Sequence, residues 1–114
     1  MAILDDLQAA LKSGIAAGAA SAQAQGVNLA QDALNAIEPN LKAVVAELAA
    51  IAQDRVDGNI GDQQAKDGVT TQLNRIPTLI TEATELVAVA LQAIIDAVLS
   101  ALKAAIGTAT GLVI

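Results

Sequence analysis

Side chains able to do chemistry are sparse in this chain of 114 residues, and their densest group surrounds one predicted turn. Asp54, Arg55, Asp57, Asp62, Lys66 and Asp67 crowd around Asp57-Gly58-Asn59-Ile60-Gly61-Asp62. Closely spaced acidic residues in a loop can hold calcium, and this stretch resembles a fragment of such a loop. The spacing fails at two points. Asp62 stands where a calcium loop requires glycine, and Gly68 stands where its closing acidic ligand belongs. The expectation is a solvated turn at the polar end of the molecule, with no metal site.

Other chemistry has less support. Ser13, Ser21 and Ser100 have no histidine to activate them, and no nucleophile-elbow pattern is present. Glu82, Glu85 and Asp96 are the carboxylates left for an acid-base pair, but Glu82 and Glu85 follow Pro77 and suit the first turns of a helix. Phe, Tyr, Trp, His and Cys are absent altogether. That removes imidazole and thiolate chemistry, and with them stacking on bases, sugars or quaternary amines. No catalytic residue and no cofactor is expected, so the chain reads as non-enzymatic.

Charge narrows the partners. The formal net charge is −6 and no basic stripe offsets it, which excludes a nucleic-acid surface and disfavours an anionic membrane. The start, Met1-Ala-Ile-Leu-Asp-Asp, is acidic and carries no visible secretory signal. A cytoplasmic or assembled-particle location is the default expectation.

The elements that must carry these groups are helical throughout. Hydrophobic residues make up 54% of the chain, nearly all Ala, Leu, Ile and Val, and alanine is the best helix former. The spacing predicts a single all-α domain. Residues 1–37 form a small-residue-rich helical arm, with Leu4, Leu7, Leu11 and Ile15 at helical spacing and a second amphipathic piece from about Val27 to Ile37. Pro39 marks a break. An amphipathic helix over 40–56 carries the stripe Leu41, Val44, Val45, Leu48, Ile51 and Ala52. After the 57–62 turn comes a polar helix over 63–76 with a thin stripe of Ala65, Val69, Leu73 and Ile76. Pro77 interrupts or restarts it, a long apolar helix follows over 78–106, and 107–114 is an apolar tail. Pro39 and Pro77 lie at similar distances on either side of the turn. This suggests an antiparallel helical hairpin with both prolines at one height, or a four-segment bundle of the same pieces.

Two patterns point to helix packing. A small residue recurs at every fourth position in Ala10, Gly14, Gly18, Ala22, Gly26 and Ala30, a row that lets a partner helix approach closely. The partner is either another subunit or another helix of the same bundle. Gly14 and Gly18 carry the most weight, because each costs about 1 kcal/mol in a helix relative to alanine. The second pattern is Leu86 to Leu102, apolar almost all the way round and therefore buried on more than one face. Leu86, Leu91, Ile94, Ile95, Val98, Leu99 and Leu102 are its candidate core or oligomer face. Gln92 and Asp96 count against a membrane span, and Asp96 is expected to pair with Lys103 or Lys12.

The functional expectation is a structural or assembly protein that buries aliphatic helix surface, as a homo-oligomer or by docking in a larger particle such as a virion or filament. An amphipathic protein that binds lipid, granules or interfaces is the alternative, although cationic and aromatic anchors are missing. A small apolar-ligand carrier is a second alternative. No motif in the chain is specific enough to name a family.

Overall fold

Alanine-rich stretches with an aliphatic residue at every third or fourth position fold into five α-helices. They are α1 (Ile3–Ala24), α2 (Gln31–Val56), α3 (Asp62–Leu73), α4 (Ile76–Ala83) and α5 (Ala88–Thr110). The computed structural model describes residues 2–84 and 86–114, and no strand occurs among them.

Neighbouring arms run antiparallel. Gly58 sits in the left-handed region at φ +80°, its N–H donates to the Arg55 carbonyl, and the Asn59 N–H reaches back to that of Asp54. This pairing closes a helix C-terminus and needs positive φ at the glycine. It ends α2 and throws the chain back into α3. Gly26, at φ +86°, ends α1 in the same way before α2 returns along it. α3 and α4 together make a third, bent arm interrupted at 74–75. α5 then runs back down the bundle, and its contact with α1 is the most extensive between any two helices. The result is an up-down-up-down bundle measuring 46 × 21 × 21 Å. Its 57–61 turn lies at one end.

One contiguous core joins all arms. α1 contributes Leu7, Leu11 and Ile15, and α2 contributes Ile37, Leu41, Val44, Val45 and Leu48. Val69 and Leu73 of α3, Ile76 and Ile80 of α4, and Ile94, Ile95, Val98, Leu102 and Ile106 of α5 complete it. Between α2 and α3 near the turn, alanines take over. Ala49, Ala52 and Ala65 are buried there, because two helices close alone only with short side chains. The stripes expected over 41–52 and 65–76 are all buried except Ile51, which is half-buried.

The structure corrects several boundaries. The break at Pro39 does not exist, because α2 runs unbroken from Gln31 to Val56 with Pro39 inside it. A proline there costs about 3 kcal/mol in a free helix. Buried Ile37 on one side, and Leu41, Val44 and Val45 on the other, hold both halves against the same core. The piece expected from Val27 is helical only from Gln31, since 25–30 form the connection between α1 and α2. The single helix expected over 78–106 is two helices, α4 ending at Ala83 and α5 starting at Ala88. Finally, α5 continues to Thr110, so the tail is shorter than 107–114. Pro77 does mark a restart, but the break lies before it at 74–75, so the polar helix expected over 63–76 ends at Leu73 and Ile76 opens α4, with Pro77 in the first turn where its missing N–H is no loss. The Asn40 side-chain amide donates to the Leu79 carbonyl at 2.7 Å, which places the two prolines at one level of the bundle.

Candidate functional site

The row of small residues divides in the structure. Ala10, Gly14, Gly18 and Ala22 lie on α1, and the last three are buried. Gly26 is the turn residue after the helix, and Ala30 caps α2 from an extended conformation, so neither belongs to the α1 face. The row is shorter than its sequence period because the helix ends at Ala24.

What Gly14 and Gly18 admit is α5 of the same chain. A Cβ on Gly14 would stand 2.8 Å from the Val98 Cα and 3.1 Å from the Ala97 carbonyl oxygen. One on Gly18 would stand 2.5 Å from the Ile94 Cα and 3.0 Å from the Ala93 carbonyl oxygen. Backbone meets backbone at both crossings. Of the residues named on the apolar helix, Ile94, Ile95, Val98 and Leu102 are buried in the core, while Leu86, Leu91 and Leu99 are half-buried against it. Asp96 pairs with neither lysine. Its carboxylate accepts from the Gln92 amide at 2.7 Å, one turn back on the outer face of α5. Lys12 instead lies 3.9 Å from Glu38 across the α1–α2 gap. α5 is long and apolar enough to cross a membrane, a test that the core helix of a soluble bundle also passes.

The polar turn has its own internal accounting. Asp57 accepts from Gln53 at 2.9 Å, Asp67 from Gln63 at 2.8 Å, and Asp62 from the Arg55 Nε at 2.6 Å. Each carboxylate is turned to its own neighbour, and no trio of acidic residues converges among the described residues. Every carboxylate in the described residues is exposed except Glu38, which is half-buried. Ser13, Ser21 and Ser100 are exposed as well. The Arg55–Asp62 pair is open to water on the Asp62 side, so Asp62→Asn is expected to lower stability by less than about 1 kcal/mol. That loss should vanish in molar salt, as read by urea unfolding at two ionic strengths.

Reading the chain alone misses a second small-residue face on α1. Ala9, Ser13, Ala17 and Ser21 follow one another at every fourth position, as do Ala16, Ala20 and Ala24, and all are exposed. Beside this face, α1 and α2 diverge to leave a groove of about 710 Å³. Its floor is Leu11, Ile15, Leu34 and Val45, and Lys12 and Lys42 stand among its polar lining residues. With alanine on nearly every side of α1, small-residue counts alone cannot rank its faces. Glycine is the only available signal, and it marks the face that α5 takes.

No known family model, curated protein or solved structure matches this chain. The helix faces themselves carry the functional argument.

Proposed function

We propose that this chain is a non-enzymatic structural protein that works by self-association through its helix surfaces. The observation that carries the reading is the outer side of α1, where an exposed face of alanine and serine borders an aliphatic-floored groove. Such a face loses little side-chain entropy when a second helix covers it, and it permits close backbone approach. The lack of aromatic, imidazole and thiol groups agrees with a role in packing.

The test is mass by light scattering across a dilution series. A concentration-dependent oligomer is expected for the natural chain. Ala17→Glu with Ala20→Glu, both at exposed positions, should leave the helical signal intact and shift the mass to the monomer. A natural chain that stays monomeric at every concentration would overturn the reading. Association on an interface is a second reading, favoured by the length and apolar character of α5. Co-flotation of the natural chain with neutral liposomes would support it, and failure to float would remove it.

A further inference from the structure

The groove between α1 and α2 is polarised along its length. The two helices run antiparallel, and Lys12 lies 3.9 Å from Glu38 across the gap, with Lys42 one turn further along α2. Gln23 and Gln31 stand at the opposite end, on either side of the 25–30 connection. Between these ends the lining is aliphatic. Leu11, Ile15 and Val45 are its buried bottom, while Ala16, Ala20 and Pro39 are exposed along its sides. Pro39 weakens the helix that carries it, yet its ring, which has no donor, suits an apolar wall. The lysine end holds two ammonium groups against one carboxylate, a net positive charge in a chain whose balance is −6. Glu38 holds neither lysine firmly. Its contact with Lys12 is near the outer limit of an ion pair and open to water, and Lys42 makes no ion pair among the described residues.

We propose that this groove binds one long-chain carboxylate, with its head between Lys12 and Lys42 and its alkyl chain laid past Ile15, Ala16 and Ala20 towards Gln23. From Lys12 to Gln23 the α1 axis rises about 16 Å, close to the roughly 15 Å that the acyl chains of one bilayer leaflet span. The groove volume of about 710 Å³ suits a small molecule. Its form selects a single free chain over a bilayer surface, because the aliphatic bottom lies in a cleft between two helices with amides at its rim. Charge selects the head. A cationic amphiphile would meet two ammonium groups, whereas an anion meets them with one carboxylate beside them. The lack of aromatic rings is no obstacle, since an alkyl chain is held by removal from water and by aliphatic contact. The inference goes beyond the self-association reading and needs a site on one chain only.

Calorimetric titration of the natural chain with dodecanoate, below the concentration at which it forms micelles, tests this. One ligand per chain is expected, whatever the mass by light scattering. Binding should tighten roughly tenfold for each two carbons added from octanoate to dodecanoate, because each methylene leaves water. Dodecyltrimethylammonium keeps the chain, reverses the head, and should bind about tenfold more weakly. Lys12→Gln with Lys42→Gln should weaken dodecanoate binding about fivefold, whereas Glu38→Gln should tighten it about twofold by freeing both lysines for the ligand. None of these three side chains is buried, so the variants keep the fold. Ala16→Phe, at an exposed position, fills the groove and should abolish binding with the helical signal intact. Equal affinity of the natural chain and Ala16→Phe would place the ligand elsewhere and overturn the inference. No binding at about 1 mM dodecanoate would also overturn it, and would leave self-association standing. If Ala16→Phe in that case changed the mass by light scattering, the groove would belong to a second copy.

Discussion

Replacing Gly14 and Gly18 by alanine is expected to destabilise this protein, although alanine is the better helix former at every other position of α1. The helix itself gains about 1 kcal/mol at each substitution. The added methyl groups, however, would stand 2.8 Å from the Val98 Cα and 2.5 Å from the Ile94 Cα. These obstacles are backbone atoms, so no rotamer change relieves them and α5 must move outward along its length. Overpacking of this kind costs about 1–3 kcal/mol per site, and a backbone obstacle puts it at the upper end. The net loss is then about 2 kcal/mol at each site, and the pair costs less than the sum of the two, because one outward shift of α5 serves both. Urea unfolding followed by far-ultraviolet circular dichroism reads it directly. Gly68→Ala is the control. There the new methyl meets the mobile end of Ile51 at 3.1 Å, and the helix gain should leave stability unchanged or raised. If the Gly14 and Gly18 variants were as stable as the natural chain, α5 would not be seated on α1 as described.

Pro39→Ala carries the opposite sign. Pro39 is exposed on α2, nine residues into the helix, where it supplies no N–H to the carbonyl one turn earlier and crowds it with its ring. Alanine restores that hydrogen bond and removes the clash, for a gain of up to about 3 kcal/mol. Part of the gain is offset because proline also stiffens the unfolded chain, by about 0.4–1 kcal/mol. The expected net stabilisation is roughly 2 kcal/mol, or a rise in melting temperature of several degrees. Pro77→Ala should show no comparable gain, because Pro77 occupies a first-turn position that lacks a partner for its N–H anyway. A loss of stability in Pro39→Ala would mean that the proline shapes α2 for its contact with α4, where Asn40 reaches the Leu79 carbonyl.

These two residues mark the limit of what the chain reveals by itself. The helical class, the buried stripe from Leu41 to Ala52 and the turn at Gly58 are all legible, because each follows from local periodicity or turn chemistry. Pro39 was misleading for a physical reason. Its cost is local and calculable, whereas the core contacts of Ile37 and Leu41 that offset it come from helices distant in sequence. The separation of α4 from α5 has the converse origin, since no glycine or proline between Ala83 and Ala88 signals it and α5 packs on α1, distant in sequence. At the candidate surface, Gly14 and Gly18 lie against α5 of the same chain, a partner that their spacing in the sequence does not name. The outer alanine and serine face could not be singled out at all, since what makes it a surface is the absence of a neighbour.

The most extensive helix contact in the molecule joins its first helix to its fifth. While a ribosome is still making the chain, α1 to α4 therefore emerge with the Gly14 and Gly18 seat vacant and with Leu7, Leu11 and Ile15 only partly covered. That nascent intermediate offers an aliphatic slot to any apolar helix nearby until α5 arrives.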